Sequence, residues 1–477
     1  MSTSPVLVAF GLDLRLTAHP ALSAATTNGS PVIPVFVLDD ISAAAWKPGG
    51  ASRWWLHGSL TALDASLRKS GSRLTLRRGG IAAELLRLAA ETGAHTVHIT
   101  RRYEPWAIAL EISLERALTA KGISLRRFGG TLLFEPETVC TKTGEPYRVF
   151  TPFWRAAQSG EPPRAPRPAP SKLQAPDAWP GSDRLADWGL RPSAPDWAGG
   201  LRDSWTPGEA GAQTALEGFL QTTVRTYKDD RDRPGRPGTS RLSPHLHFGE
   251  ISPATIWHAA RLAGPDEVGT VKFLAEIGWR EFSYQLLTQF PELPTQPFRP
   301  EFAAFPWRDD AVALKAWQRG ATGYPLVDAG MRQLRATGWM HNRVRMVVAS
   351  FLVKHLRIGW QRGAQWFWDN LVDADLAANS ASWQWVAGCG ADAAPYFRIF
   401  NPVLQGVKFD PDGAYVRQWV PELAGIPSAY IHAPWEAPAL ELAAAGVTLG
   451  RDYPAPIVDH AEARDAALAA LKQMGGR

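Results

Sequence analysis

Nine prolines fall between residues 162 and 195 and divide the chain into two parts. Proline lacks a backbone N–H and clashes with the preceding turn of a helix, so this density excludes a regular helix and a central strand. Basic side chains in the same stretch favour a solvated segment. We therefore predict an interdomain linker over residues 134–205, preceded by a domain of residues 1–133 and followed by one of residues 206–477.

The part before the linker alternates short β-type runs with helical segments. This alternation predicts a parallel sheet covered by helices, which is a doubly wound α/β domain. No glycine-rich dinucleotide or phosphate-loop motif follows the first run, so a standard nucleotide site of either kind has no support. The predicted strands are Val6–Phe10, Pro34–Leu38, Leu74–Leu76 and Thr96–Thr100, and the predicted helices are Ile81–Thr92 and Ala107–Lys121.

The part after the linker is dominated by helical patterns, so we predict a larger all-α domain there. A chain of 477 residues is too long for one compact core, which agrees with at least two domains. The predicted helices are Ala212–Asp229, Pro253–Ala263, Thr270–Gln289, Val312–Gln318, Val327–Thr337, Asn342–Leu356 and Ala364–Leu371.

Composition narrows the possible partners and compartments. Lys and Arg outnumber Asp and Glu by 51 to 46, and a pI of about 9.2 permits a polyanionic partner but supports it only weakly. Cys140 and Cys389 cannot build a disulfide framework, and no Cys/His cluster has the spacing of a zinc site, so we predict a cytoplasmic protein without a metal. The sequence shows no secretory signal and no run approaching ~20 apolar residues, so we expect no membrane contact.

Two predicted helices carry polar and large side chains on one face, at positions i, i+3 and i+4. Each face is typical either of the wall of a binding cavity or of an ordinary surface beside a core residue, and neither helix decides this alone. The faces consist of Glu276, Trp279 and Arg280 in FLAEIGWREF (273–282) and of Asn342, Arg345 and Met346 in GWMHNRVRMVVASFLV (338–353).

The segment TSRLSPHLHFGEIS (239–252) offers hydroxyl groups and backbone N–H groups before a helix predicted to begin near Pro253. Thr239, Ser240 and Ser243 carry the hydroxyls, and Arg241 adds a cation. Such a segment can hold a phosphate, although a simple turn and helix cap has the same composition.

Residues 370–386, NLVDADLAANSASWQWV, combine two acids with two tryptophans. Asp373 and Asp375 must be hydrated, paired or hydrogen-bonded, and the arginines of the two helix faces are natural partners. Trp383 and Trp385 are two residues apart, so they cannot point in the same direction on a helix. Closely packed tryptophans are more often core than functional, but indole is readily oxidised and could relay electrons.

Together these segments resemble one family closely, the DNA photolyases and cryptochromes. The match runs in order through TSRLSPHLHFGEIS, WREF, TGYPLVDAGMRQL, TGWMHNRVRM, DADLAAN, WQW and YFRIFNP, and covers roughly residues 5–460. The family fold is an N-terminal α/β domain, a long linker and a helical domain that holds a U-shaped FAD. The resemblance therefore implies FAD as the cofactor.

The resemblance also implies roles for individual residues of this chain. Those that would contact the FAD are Tyr227, Thr239, Ser240, Arg241, Leu242, Ser243, Arg280, Arg345, Asp373, Asp375 and Asn379, with Asn379 at flavin N5. Those that would line the pocket for the lesion are Glu276, Trp279, Asn342, Met346 and Trp385. Those that would touch the DNA backbone are Arg231, Arg343, Arg398 and Gln405. Those that would reduce the flavin under light are Trp383, Trp360 and Trp307.

The implied reaction is light-driven splitting of cyclobutane pyrimidine dimers in UV-damaged DNA, double- or single-stranded, by a monomer. The lesion is flipped out of the stack, and excited reduced FAD gives it one electron. Met346 favours the cyclobutane lesion over the (6-4) lesion. We expect a buried, protonated Glu276 to donate a hydrogen bond to the lesion, and the resemblance implies a catalytic role for Asn342 as well.

Two segments depart from the family pattern. AFGLDLRL (9–16) stands where the family usually has WFRRDLRL, and RRYEPWAIA (101–109) lacks the Asn-Glu pair with which some members hold a folate antenna. The resemblance is closest to class III enzymes and plant cryptochromes. We expect any antenna to be methenyltetrahydrofolate rather than a deazaflavin, held by Trp106 or by Trp54 and Trp55, although these residues could equally belong to the core.

The main rival function is a blue-light receptor of cryptochrome type, which binds FAD and signals through partners. Asn379 favours repair, because it stabilises the reduced flavin that repair needs. The short stretch after about residue 460 also leads us to expect no long signalling tail. A flavoprotein that binds DNA without repairing it is a third possibility.

Overall fold

The structure is a computed structural model that describes residues 4–27, 29–393 and 397–475. The chain forms two compact units. The first comprises Met1–Arg225, Ser240–Pro291 and Val372–Leu376, and the second comprises Thr226–Thr239, Glu292–Leu371 and Ala377–Arg477. The domain boundaries predicted from the sequence stay a prediction.

The first unit contains a five-stranded, all-parallel sheet in the order β3-β2-β1-β4-β5, which confirms the predicted α/β fold. Nearly every side chain of β1 and β2 is buried. That pattern explains why both strands are continuous apolar runs, as expected for a parallel sheet with both faces covered. The strands are β1 (Val6–Phe10), β2 (Val32–Leu38), β3 (Thr75–Arg78), β4 (Thr96–Thr100) and β5 (Ser124–Phe128).

Helices make up about half of the remaining described chain and more than half of the described residues from 206 to 475, which confirms the predicted helical region. In chain order they are α1 (Pro20–Thr26), α2 (Gly50–Lys69), α3 (Ile81–Thr92), α4 (Pro105–Thr119), α5 (Phe150–Ser159), α6 (Gly199–Ser204), α7 (Glu209–Gly218), α8 (Tyr227–Asp230), α9 (Ser243–His247), α10 (Pro253–Ala263), α11 (Val268–Gln289), α12 (Ala311–Arg319), α13 (Pro325–Thr337), α14 (Asn342–Ser350), α15 (Trp360–Asn370), α16 (Leu376–Ala387), α17 (Pro402–Phe409), α18 (Ala414–Trp419), α19 (Ala439–Ala444) and α20 (His460–Gly475). Across the described ranges, no helix combines the length and the apolar character that crossing a lipid bilayer requires.

Two long helices predicted from the sequence are interrupted. The helix predicted over 212–229 ends at Gly218, passes through a π turn at Phe219–Thr223 and a 3-10 turn, and resumes as α8. The helix predicted over 342–356 ends at Ser350 and continues as a π turn at Phe351–His355. An apolar periodicity marks a helical path, but it does not reveal the extra residue per turn of an i→i+5 hydrogen-bonded π turn.

The proline-rich segment lies along the sheet. No α-helix forms among the described residues of 162–195, as predicted, and the helices α5 and α6 lie outside that stretch. The backbone N–H of Val32 donates to the carbonyl of Gln174 at 2.9 Å, and that of Asp183 donates to the carbonyl of Leu76 at 2.8 Å. Ser182 Oγ in turn accepts from the N–H of Leu76 at 3.0 Å. The segment therefore pairs with backbone groups of the edge strand β3.

The divergent stretch after β1 forms a buried charged corner in the first unit. Asp13 accepts from the N–H of Gly11 at 2.6 Å and pairs with His19 Nε2 at 2.9 Å. Burial would raise the pKa of Asp13, but His19 and these hydrogen bonds lower it to about 2. Arg15 is also buried and donates to the carbonyls of Gly249 at 2.8 Å and Gly130 at 3.1 Å. These bonds keep the corner ordered despite the departure from the family sequence.

Candidate functional site

The predicted acids of the first unit meet a tyrosine that the sequence interpretation missed. Asp375 accepts a hydrogen bond of 2.5 Å from the hydroxyl of Tyr284, and His247 Nδ1 lies 3.8 Å from the same carboxylate oxygen. The Arg280 guanidinium lies over the Tyr284 ring at 4.9 Å. Tyr284 follows Arg280 by four residues on α11, so the i, i+4 spacing could have revealed it. Asp373, whose carbonyl accepts from the N–H of Asp375 at 2.8 Å, is also buried.

Arg280 is held in place by the neighbouring acid and by the backbone. Its Nη1 donates to Glu281 Oε1 at 3.1 Å and to the carbonyl of Thr131 at 3.0 Å. Burial would lower the pKa of Arg280, but Tyr284, Glu281 and Asp375 raise it above its ordinary value. Glu281 also accepts from the N–H groups of Leu133 and Phe134, and burial raises its pKa to about 7. The guanidinium is therefore a fixed cation.

Glu276 does not have the environment expected for it. One quarter of its side chain is exposed, and its carboxylate lies 3.1 Å from Lys272 Nζ, one turn earlier on α11. The expectation of a buried Glu276 is therefore wrong in this structure, because the carboxylate is partly exposed beside the ammonium group of Lys272. Trp279, on the same face, is half-buried and stacks on Phe150 with ring centroids 3.9 Å apart.

The helix predicted to begin near Pro253 is confirmed as α10, and a short additional helix that was not predicted, α9, begins at Ser243 within the hydroxyl segment. Ser240 is half-buried and Ser243 is exposed, whereas Leu242 is buried. Arg241 adopts a left-handed backbone conformation with φ of 52° and places its guanidinium 4.1 Å from the Trp205 ring centroid. The segment therefore carries its hydroxyls and its cation on a turn anchored by an apolar residue.

In the second unit, residues of α16 contact consecutive residues of α15. The amide nitrogen of the buried Asn379 donates to the carbonyl of Ala364 at 3.1 Å. The Trp383 ring packs on Gly363 and lies 5.0 Å from the Phe367 ring. Trp383 is 2% exposed. Helix α15 therefore contacts both the Asn379 amide and Trp383, the first tryptophan of the predicted electron route.

The other two tryptophans of that route lie towards the start of α15. Trp360 is its first residue and is buried, and Gly363 and Phe367 follow at i+3 and i+7 on the same face. Trp307 is half-buried beside Gly359, where its Cγ is 3.9 Å from the position a Cβ would take. The three indoles thus follow α15 from a buried position to a partly exposed one.

Predicted DNA-contacting residues of the second unit form two groups. In the first, Trp385 donates from Nε1 to the carbonyl of Asp392 at 3.1 Å, and Arg398 lies over the Trp385 ring at 5.8 Å. The indole of Trp385 thus has its own contacts, separate from those of Trp383, as predicted. Gln405 is half-buried on α17, beside Leu404, which is 63% exposed.

The second group surrounds the start of α14. Asn342 is exposed at its first helical position, and Met346 is half-buried. Arg343 pairs with Asp232 at 2.9 Å. Arg345 donates from Nε to the carbonyl of Met340 at 2.7 Å.

The segment containing α8 carries further predicted residues of the second unit. Tyr227 is buried, and the Arg231 guanidinium lies over its ring at 5.7 Å. Thr239, at the end of the same segment, is half-buried. The sequence analysis assigned no role to Asp232. It lies in the run of charged residues TYKDDRDRPGRPG (226–238), and such a run is usually a solvated loop.

The candidate antenna residues differ in their surroundings. Trp55 is fully buried, stacks on Phe248 with centroids 6.0 Å apart, and donates from Nε1 to Glu250 at 3.0 Å. Trp54 is also buried, so both belong to the core, the alternative left open by the sequence. Trp106 is half-buried, and the Arg102 guanidinium covers one face of its ring at 4.6 Å. Among the described residues, no group of three or more His, Cys, Asp or Glu side chains is placed to hold a metal ion.

Comparison with known families agrees with this arrangement. The family model described as "DNA photolyase" matches residues 6–171, and the one described as "FAD binding domain of DNA photolyase" matches residues 273–473. The fold and the two family-model matches therefore define a class of protein in which an α/β region is followed by a helical FAD-binding region. The chain belongs to the DNA photolyase family.

Individual relatives are similar over nearly the whole chain. A deoxyribodipyrimidine photo-lyase of Agrobacterium fabrum (strain C58) is 53% identical over 98% of both chains. The crystal structure of a bacterial class III photolyase from Agrobacterium tumefaciens superimposes with a TM-score of 0.97 at 52% identity, covering 100% of this chain and 99% of that one. Cryptochrome-1 of Arabidopsis thaliana is 40% identical over 98% of this chain and 70% of its own length.

Proposed function

We propose that this protein is a deoxyribodipyrimidine photo-lyase that uses light to split cyclobutane pyrimidine dimers in DNA. The observation that carries the proposal is the packing of α16 on α15. Asn379 and Trp383 contact Ala364 and Gly363, so the amide assigned to the flavin and the first indole of the electron route share one rigid support. The 53% identity to a named photo-lyase, against 40% to a cryptochrome, supports repair over signalling.

The side chains present suit FAD. Arg280 is a fixed cation of the kind that binds a pyrophosphate, and Asp373 and Asp375 are buried carboxylates able to accept from hydroxyl groups. Thr239, Ser240 and Ser243 add hydroxyls, and Tyr227 and Leu242 add apolar surface. Asn379 is a buried amide with its nitrogen anchored to Ala364, which orients it towards one edge of a ligand. We assign these residues and Arg345 to FAD.

When bound and reduced, FAD supplies the electron that light transfers to the lesion. The protein positions the reactants. Trp279, held against Phe150, offers a flat apolar surface to a flipped dimer, and Trp385 offers a second one. Asn342 and Glu276 provide polar atoms for the pyrimidine carbonyl and N–H groups, and Met346 fills space. Arg231, Arg343, Arg398 and Gln405 bind the phosphate backbone.

Glu276 is assigned a role that takes account of Lys272. A carboxylate accepts hydrogen bonds from the lesion, and the Lys272 ammonium group, 3.1 Å away, offsets its negative charge. The pair thereby keeps the net charge near the lesion low without requiring a buried acid. Trp383, Trp360 and Trp307 would relay electrons from an external reductant to a bound flavin under light.

The decisive experiment is to illuminate the purified flavoprotein with an oligonucleotide that contains one thymine dimer. Restoration of the thymines under blue light, and none in the dark, is the expected result. A protein that binds FAD and undergoes photoreduction but restores no thymine would instead be a receptor of cryptochrome type.

We also propose a second, light-harvesting chromophore, methenyltetrahydrofolate rather than a deazaflavin, near Trp106. The burial of Trp54 and Trp55 in the core leaves Trp106 as the aromatic candidate. Purification with and without added folate, followed by absorption spectroscopy, tests this assignment. We further propose that the protein acts as a cytoplasmic monomer.

A further inference from the structure

Arg343 is constrained by contacts on several sides in the second unit. Its Nη2 lies 2.9 Å from Asp232 Oδ2, and its guanidinium lies over the Phe409 ring at 4.3 Å. Its backbone N–H donates to Nδ1 of the buried His341 at 3.2 Å. The side chains of Arg343 and Asp232 are only 17% and 29% exposed. A long, flexible cation is therefore held in one orientation.

This arrangement is unexpected for a residue assigned to the DNA backbone. An exposed arginine can follow a phosphate wherever the backbone runs, whereas an arginine fixed by an acid and a ring cannot. Asp232 also repels a phosphate that approaches from a different direction. Holding Arg343 in place therefore increases the affinity only for a phosphate that lies where the guanidinium already points.

The backbone geometry of damaged DNA differs from that of intact duplex when the lesion is extruded. Flipping a nucleotide rotates it about its backbone, so the flanking phosphates move away from their regular positions. A protein that recognises this altered path gains specificity without touching a base. A fixed arginine is suited to such recognition, and a mobile one is not.

We propose that Asp232 is a positioning residue that sets the discrimination between damaged and undamaged DNA by holding Arg343 for the phosphates beside a flipped lesion. This inference rests on the proposed function. Asp232 touches neither the lesion nor the flavin in this account, and it acts only through Arg343. Arg231, the preceding residue, contributes general attraction to the backbone.

The test measures the Kd of the FAD-loaded protein for a duplex with one thymine dimer and for the same duplex without it, at several salt concentrations. Asp232→Asn should raise affinity for the undamaged duplex and lower the ratio of the two affinities by roughly 3-fold or more. Asp229→Asn is the matched control, since it removes the same charge from the exposed side of the same short segment. It should leave the ratio within about 2-fold of wild type.

Three further variants separate positioning from charge and from folding. Asp232→Glu keeps the ion pair and should restore most of the ratio. Arg343→Lys keeps the charge but loses the planar contact with Phe409 and Asp232, so it should lower the ratio even if Asp232→Asn folds poorly. In an Arg343→Ala background, Asp232→Asn should have no further effect on the ratio. Flavin absorption confirms that each variant is folded.

Several outcomes would overturn the inference. If Asp232→Asn strengthened binding to both duplexes equally, Asp232 would act only as a negative charge that repels DNA. An unchanged ratio in Arg343→Lys, or a persistent effect of Asp232→Asn without Arg343, would also exclude positioning. If the wild-type protein shows no preference for the damaged duplex, the proposed function fails first, and the wild-type measurement alone reveals it.

Discussion

Replacing Gly363 by alanine tests whether α15 supports the proximal tryptophan as the structure indicates. A Cβ at this position would lie 2.1 Å from Cη2 of Trp383, 2.5 Å from its Cζ3 and 2.7 Å from Cδ2 of Leu352. Such contacts do not occur, so a side chain or the helix must move. Trp383 is 2% exposed and is also in contact with Phe367, so it cannot move without disturbing the core.

The expected loss of stability follows from two opposing effects. Overpacking a core typically costs about 1–3 kcal/mol. Alanine in place of glycine within a helix returns about 0.5–1 kcal/mol. We therefore expect Gly363→Ala to lower the free energy of unfolding by about 1–2 kcal/mol. Photoreduction of the flavin should also slow, because Trp383 is displaced from its position.

Gly218→Ala is the matched control, because Gly218 has helical dihedral angles and nothing lies within 4 Å of its would-be Cβ. It should be as stable as wild type or slightly more stable. The double variant Gly363→Ala/Trp383→Phe should recover most of the lost stability, since phenylalanine lacks the outer ring atoms that clash. Thermal unfolding at one fixed heating rate compares all four proteins. Gly363→Ala as stable as Gly218→Ala would refute the described packing.

Other predictions concern the electron route, the DNA surface, the lesion contact and the response to acid. Trp383→Phe should block photoreduction yet spare repair by chemically reduced protein. Arg343→Ala should weaken binding to all damaged sequences alike and reduce the salt slope by about 1. Glu276→Ala should lower thymine restoration per absorbed photon with only a modest loss of affinity, and Glu276→Gln should be milder. Burial beside His460 lowers the pKa of His355 to about 3, so the unfolded chain binds a proton that the folded chain excludes, and stability falls as pH drops below about 6.5. Between pH 7 and pH 5, the free energy of unfolding of His355→Gln should therefore fall by about 2 kcal/mol less than that of wild type.

Each of these outcomes has a clear opposite. Normal photoreduction without Trp383 would mean that another donor feeds the flavin. An unchanged salt slope after Arg343→Ala would remove that residue from the backbone contacts. Loss of binding with an intact yield from bound substrate would make Glu276 a docking residue. His95→Gln is the control for the response to acid, because His95 is exposed. If the stability of His355→Gln and of His95→Gln fell equally between pH 7 and pH 5, the argument from burial would be contradicted.

The sequence predicted the sheet well where strands are buried on both faces. β1 and β4 have the predicted bounds, because Val6–Phe10 and Thr96–Thr100 are short runs bounded by turns. β5 was missed because its sequence, SLRRF, carries two arginines and resembles a loop. It is an edge strand whose side chains are all at least partly exposed, so it lacks the apolar signal on which the prediction depended.

The candidate site was predicted by residue identity more successfully than by contact. Arg280 and Asp375 were expected to be direct partners, but Tyr284 contacts both of them, and Glu281 is bonded to Arg280. Sequence spacing shows which residues share a helix face. It does not show which side chains from distant segments complete the hydrogen bonds, since that depends on packing.

The pairing of the proline-rich segment with β3 bears on how the protein can be truncated. An unpaired edge strand is a template for association with another chain, and proteins commonly cover such edges to avoid aggregation. Here Ser182 and Asp183 occupy backbone groups of Leu76 on that edge. A fragment that stops before residue 160 would uncover the strand and should form insoluble assemblies. A fragment extended through residue 190 should remain dispersed, so the segment acts as a built-in guard against self-association.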